Sequence, residues 1–391
     1  MLTQIFVVFF YRDSEAEFIR NIVPWIYLKL NYKSPKDIDG NLVGMASRVE
    51  EINSCLHMEL THDVLFIGIY EMSGMGKSTL AQVVFDRIHD QFEASSFLKI
   101  LGEDSINKPG LLTLQEQLLF DICRKDIRLR GVSNGIQLLS NNLCNKKVLI
   151  VIDDVNEESQ LENLVGLPNL KWLGPGSRII VTTENKHLLA KCGIGSVPAK
   201  RLNNDDALEL FGLKVFHKPH CENDFLDLCN DFVYYAEGIP LVLVVWGSYL
   251  CKRTKKEWES ALNKLKEIPL GKTTKKLGIA VNGLEDSERE LFLDIACFFV
   301  GEDENRIADI LESVHHFQID KSTLMDKSLI TIVGGNLWTH NLLQQVGWEI
   351  IREESKKPEK RSRLGFPNVL DVLKSNIVSG LLYRHKFREW T

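Results

Sequence analysis

The run Gly74-Met75-Gly76-Lys77-Ser78-Thr79 has the residue types and order needed to hold a phosphate. Glycine lets the backbone curl so that successive N–H groups face one anion. Lys77 is placed to reach the β- and γ-phosphates, and the Ser78 hydroxyl suits a divalent cation such as Mg²⁺. A second set of groups lies downstream. Asp153 and Asp154 follow the apolar run Val148 to Ile152, where a carboxylate at a strand end suits Mg²⁺.

Such groups work only if secondary structure positions them. Val64 to Ile69 reads as a buried strand, and a helix begins near Lys77, adding its positive N-terminal end to the anion site. The P-loop pattern asks for glycine at position 71, where this chain has Glu71, and Ser73 also stands where many such loops carry glycine. The Glu71 carboxylate either repels a bound phosphate or points away from it. Taken alone, the stretch also fits a plain Gly-rich turn between strand and helix. The acidic strand end downstream favours the nucleotide reading.

Arg178 to Thr183 forms another strand, with Thr182 and Thr183 at its end and a helix after it. Strands alternating with helices predict an α/β fold with a doubly wound parallel sheet, whose ligand lies beyond the C-terminal strand ends. Gly76, Asp153 and Thr183 all fall at such ends.

Beyond Lys200 the pattern turns helical, over Asp205 to Phe216 and Phe225 to Cys251. Gly238 and Pro240 mark a corner between helices. Lys252 to Lys256 reads as a basic connector, and Ser287 to Val300 as an apolar helix. A hairpin centres on Gly334 and Gly335. Helices followed by a hairpin suggest a winged-helix unit. At the start of the chain, Ile5 to Tyr11 is apolar but short, and Ser14 to Leu30 has a helical rhythm interrupted by Pro24.

The chain has 391 residues, 44% hydrophobic and 26% charged, with a net charge of −6, values that suit a soluble globular protein of two or three domains. No global basic field points to nucleic acid. The basic run Lys356 to Arg363 reads as a solvated loop. Eight cysteines are scattered without zinc spacing, which suits a reducing intracellular setting. No apolar run reaches the length of a membrane helix.

The order of motifs resembles the NB-ARC module of plant intracellular immune receptors, in the class with an N-terminal TIR domain. The resemblance runs from about residue 14 to 375 and rests on EMSGMGKSTLA, KKVLIVIDDV, GPGSRIIVTTENKHLL, LNNDDALELFGLKVF, YAEGIPLVLVVWGSYL, LEDSERELFLDIACFF and HNLLQQVGWEIIREES. It implies a TIR-helix remnant (1–34), a linker (35–41), a P-loop NTPase domain (42–196), a helical subdomain (197–272), a winged-helix subdomain (273–375) and a tail (376–391). It also implies a switch closed over ADP and opened by exchange for ATP, in the cytoplasm or nucleus, with association between receptors. By position, Lys77 and Ser78 handle phosphate and Mg²⁺, Asp153 holds Mg²⁺, and Asp154 orients the attacking water. Pro240 packs on the adenine with Val43 nearby, and His340 reaches the β-phosphate.

The departures from the family pattern are Glu71, Glu184 in place of an arginine that senses the terminal phosphate, and Thr339 and Asn341 flanking His340 in place of Met and Asp. An anion at 184 turns attraction into repulsion, so hydrolysis is expected to be weak or absent. Asn341 lacks a carboxylate's charge and is expected to loosen the closed state. The chain is expected to be a shortened receptor without TIR-type NAD cleavage. Two alternatives are a nucleotide-free decoy fragment and a winged-helix regulator. The helix after the hairpin counts against the second, since Leu342 to Ile350 carries Glu349 and no Lys or Arg.

Overall fold

The computed structural model describes residues 42–60, 62–100, 108–124, 127–144, 146–166, 173–312, 316–357 and 360–363. The readings of Ile5 to Tyr11, Ser14 to Leu30, the linker 35–41 and the tail lie outside these residues. Helix α1 (Met45–Leu56) precedes strand β1 (Leu65–Tyr70) and helix α2 (Lys77–Ile88). There follow β2 (Ala94–Lys99), α3 (Lys108–Cys123), α4 (Val132–Leu143), β3 (Val148–Asp153) and α5 (Glu158–Val165). Then come β4 (Arg178–Thr183), α6 (Lys186–Lys191) and β5 (Gly195–Pro198). The five strands pair in parallel in the order β2-β3-β4-β1-β5.

Period-two alternation builds two cores on this sheet. Leu149, Val151 and Ile180 face one side, with Val84 and Phe85 of α2. Ile150, Ile152, Ile179 and Val181 face the other, with Leu118 of α3, Leu139 of α4 and Leu161 of α5. Covered on both faces, β3 and β4 are buried throughout, which is why they read as continuous apolar runs. Arg178 starts β4 with its guanidinium buried, donating to the carbonyls of Leu56, His57, Leu60, Asp63 and Ser177. It ties the segment after α1 to the sheet.

The helical layer consists of α7 (Asn204–Phe216), α8 (Leu226–Ala236), α9 (Pro240–Leu250) and α10 (Lys255–Lys266). Phe211 stacks on Phe232 at its centre, with Trp246 and Trp258 meeting these rings edge-on. Gly238, at φ 67, makes the corner before α9, and Pro240 opens that helix where a missing N–H costs nothing. The basic connector ends sooner than its composition suggests. Thr254 and Glu257 form a capping box, so Lys255 and Lys256 are already helical.

Helix α11 (Thr273–Asn282) packs on α9 and leads to α12 (Asp286–Asp294), which ends in a π-helical turn, Ile295–Phe299. After α13 (Glu304–Leu311) and α14 (Phe317–Asp326) come β6 (Thr331–Val333), β7 (Asn336–Trp338) and α15 (Asn341–Glu354). The hairpin turns on Gly334 and Gly335, both at positive φ, as a two-residue primed turn requires. The solvated-loop reading of Lys356 to Arg363 fails at its end. Arg363 is buried and pairs with Asp294 and Glu290, drawn in by two carboxylates on α12. Among the described residues no helix is long and apolar enough to cross a membrane.

Candidate functional site

Strand β1 delivers the phosphate loop at its C-terminal end. Gly74 and Gly76 both have φ 83, a conformation side chains resist, and a Cβ on Gly74 would also press on Leu241 at 3.1 Å. The Gly74 carbonyl accepts from the Leu241 N–H at 3.2 Å, seating the first turn of α9 on the loop. Lys77 opens α2. Its ammonium donates to the carbonyls of Glu71 (2.8 Å) and Met72 (3.1 Å), so it is held at the start of the loop. Desolvation pulls its pKa below the usual lysine range, opposed by the charges of Glu184, Asp154, Asp153 and Glu71. Glu71 folds its carboxylate back onto the Met72 N–H at 3.1 Å and is not among the cavity-lining residues. Of the two arrangements open to it from sequence, it takes the one that turns away.

At the end of β3, one Asp153 oxygen accepts from the Thr182 hydroxyl at 2.5 Å, and that hydroxyl accepts from the Asp154 N–H at 2.8 Å. The other Asp153 oxygen is buried without a partner. Burial raises the Asp153 pKa, while the Thr182 hydrogen bond, the nearby Ser78 hydroxyl and the charge of Lys99 lower it. A hydroxyl and a carboxylate with an unused buried lone pair fit a hard cation that takes its remaining ligands from phosphate and water. No cluster of three or more His, Cys, Asp or Glu offers another metal site among the described residues. Asp154 sits at φ 66, a strained conformation for a non-glycine residue.

The opposite wall comes from the winged-helix region. His340 caps α15, its Nδ1 accepting the Leu342 N–H at 3.1 Å, which leaves Nε2–H as the donor. His340 is exposed toward the cavity that it lines, yet protein atoms crowd around its ring. Desolvation, then the charges of Lys77 and Lys99, lower its pKa to about 4. Thr339 donates to the Leu329 carbonyl at 2.8 Å and fixes the strand leading into His340. The Asn341 amide donates to Asp154 at 2.8 Å, joining the two walls. This geometry runs against the expectation that Asn341 loosens closure, because a carboxylate at 341 could not donate to Asp154.

The walls enclose a cavity of about 790 Å³. Of the residues expected at the site, Gly74, Gly76, Lys77, Ser78, Thr79, Asp153, Asp154 and His340 line it, and Val43, Met75, Thr183 and Pro240 do not. Met75 is buried in the hydrophobic core. The Thr183 hydroxyl accepts from the Asn185 N–H, so it closes a turn. Val43 packs against the core ahead of α1, and Pro240 stands one residue before Leu241, which does line the cavity. Lys99, Lys214, Val244 and Trp338 are wall residues that sequence reasoning missed. Lys99 was detectable in principle, as the register partner of Asp153 on the neighbouring strand.

Both walls of the cavity fall within regions that match known protein domains. Residues 45–221 match the NB-ARC domain, and residues 285–355 match the winged-helix domain of Roq1-like disease resistance proteins. Disease resistance protein RUN1 of Vitis rotundifolia is 40% identical over 355 residues, covering 90% of this chain and 26% of the relative. TMV resistance protein N of Nicotiana glutinosa is 37% identical over 372 residues, covering 93% of this chain and 32% of the relative. The chain therefore spans about a quarter to a third of these relatives. A solved signal transduction ATPase with a tetratricopeptide repeat sensor, from Pyrococcus horikoshii, aligns at TM-score 0.49 and 17% identity, over 86% of this chain and 46% of that one. The chain carries an NB-ARC domain over residues 45–221 and a winged-helix domain of the Roq1-like disease resistance type over residues 285–355.

Proposed function

We propose that this chain is the ADP/ATP switch of a plant disease resistance receptor, with the cavity as its phosphate pocket. The observation that carries this reading is the shared wall: His340 and Asn341 from the winged-helix region face the same cavity as Lys77, Ser78 and Asp153. A phosphate there would meet the α2 N-terminus, the Lys77 ammonium and the His340 Nε2–H donor together. Ser78 and Asp153 would hold Mg²⁺, which when bound neutralises phosphate charge. Asp154 is the candidate to orient water, and its engagement by Asn341 in the closed form favours slow hydrolysis. Glu184 on the cavity wall supports the same expectation, since its charge repels a terminal phosphate.

The remaining parts of the proposal follow the family. The segments 42–196, 197–272 and 273–375 act as nucleotide-binding, helical and winged-helix units. Opening exposes surfaces for association with itself or with other receptors, in the cytoplasm or nucleus.

The test is to denature the purified chain and identify the nucleotide released. Near-stoichiometric ADP supports a closed switch, and ATP supports blocked hydrolysis. A folded, monodisperse chain that releases nothing and takes up no added ADP overturns the reading in favour of a nucleotide-free decoy. Brisk ATP turnover abolished by Lys77→Ala would overturn the expectation of weak hydrolysis.

A further inference from the structure

Glu184 leaves the terminal phosphate without the cation expected at that strand end. The wall offers another. Lys99 ends β2, lines the cavity and is the register partner of Asp153. Its side chain is exposed to the cavity, and among the described residues it forms no ion pair with a carboxylate. Its ammonium stands 5.8 Å from the centre of the Trp338 ring, on the winged-helix hairpin. Its charge is felt at both Asp153 and His340, which places it between the cation-binding carboxylate and the opposite wall. The other cavity lysines are placed differently. Lys77 is held by carbonyls at the start of the loop, and Lys214 comes from the helical layer.

Resting on the nucleotide reading above, we propose that Lys99 is the residue that distinguishes a triphosphate from a diphosphate in this chain, exchanging the Trp338 ring for the terminal phosphate. A cation 5.8 Å from the centre of a partly exposed ring is weakly held, whereas an ammonium on a phosphate oxygen is a charge-assisted hydrogen bond. The exchange favours the triphosphate and gives up a contact between the nucleotide-binding and winged-helix regions in the same event. Nucleotide identity is thereby coupled to closure through one side chain.

The experiment measures the affinities of the full chain for ADP and for a non-hydrolysable ATP analogue, each with Mg²⁺, in wild type, Lys99→Met and Lys99→Arg. Thermal melting confirms that each variant folds, as the exposed position leads us to expect. Lys99→Met should weaken the ATP analogue by about tenfold or more while changing ADP affinity by less than about threefold. Lys99→Arg should retain most of the wild-type discrimination. Equal loss for both nucleotides, or no loss for either, overturns the assignment and leaves the nucleotide reading standing. A wild-type chain that binds neither nucleotide overturns both.

Discussion

Replacing Asn341 by aspartate tests the closure geometry directly. The Asn341 amide now donates to an Asp154 oxygen at 2.8 Å. In Asn341→Asp the donor is gone and two carboxylates face each other across that gap. Two like charges about 3 Å apart repel by roughly 1.4 kcal/mol in bulk water and by about 5 kcal/mol at the dielectric of a protein surface. The contact is open to solvent, so the lower end applies. Adding about 0.5–1 kcal/mol for the lost hydrogen bond brings the total to about 2 kcal/mol. That is an open-to-closed shift of about thirtyfold, against about two- to fivefold for Asn341→Ala, which loses only the bond.

The assay is the rate of fluorescent ADP release after mixing with excess unlabelled ADP. Release should be fastest from Asn341→Asp, intermediate from Asn341→Ala and slowest from wild type. Added salt should narrow the gap between Asp and Ala by screening the repulsion. Release from Asn341→Asp that is unchanged or slower than wild type would refute the reasoning. It would instead favour the view, drawn from sequence, that a negative charge at 341 strengthens the closed state.

The remaining predictions concern the metal, the histidine and the buried arginine. Asp153→Asn should abolish the Mg²⁺-dependent part of nucleotide affinity, so that chelator no longer changes the measured Kd; a chelator effect as large as in wild type would contradict the assignment. In the nucleotide-free closed form the His340 pKa lies at about 4, below its ordinary value of about 6.5, so the unfolded chain takes up a proton first as pH falls. This contribution to stability is fully present above about 6.5 and is lost as pH falls toward about 4. Melting curves should show wild type losing more stability over that window than His340→Gln, and parallel pH profiles would disprove the role. Arg178→Ala strands carbonyls that the guanidinium now serves, and should cost about 2–5 kcal/mol, seen as a large drop in Tm; a shift within error would mean that water replaces the arginine freely.

The parts of the site that were legible in sequence are those made by contiguous residues. Gly74 to Thr79 carry their own geometry, and β3 and β4 announce themselves because burial on both faces demands unbroken apolar runs. Strands β2 and β5 escaped notice because they lie at the sheet edges. Ala94–Lys99, though as long as β3, and the four-residue Gly195–Pro198 are only partly buried, so neither needs an apolar run. Lys99 was lost with its strand. The Asn341 contact joins residues 187 positions apart, and no local pattern encodes it. Charge counting at 341 assumed an opposing cation or helix N-terminus, whereas the structure puts a carboxylate there. Val43 and Pro240 came from family position alone, and both stand behind the wall that their neighbours form.

The π-helical turn gives α15 a mechanical role. It presents the Ala296 carbonyl to both Gln344 and Trp348, at 3.0 and 3.2 Å, while Gly347 admits Ala296 so closely that a Cβ there would lie 2.8 Å from the Ala296 Cβ. The helix is therefore pinned near its middle like a seesaw. From that fulcrum the His340 end lies about 9 Å away and the Glu354 end about 12 Å, at 1.5 Å of rise per residue. A tilt of about 10° lifts the short arm by about 1.6 Å, enough to part Asn341 from Asp154, and swings the long arm by about 2 Å the other way. Such a tilt would return the loss of a single contact in the cavity, slightly enlarged, at the far end of the helix, where Glu354 accepts from Ser362.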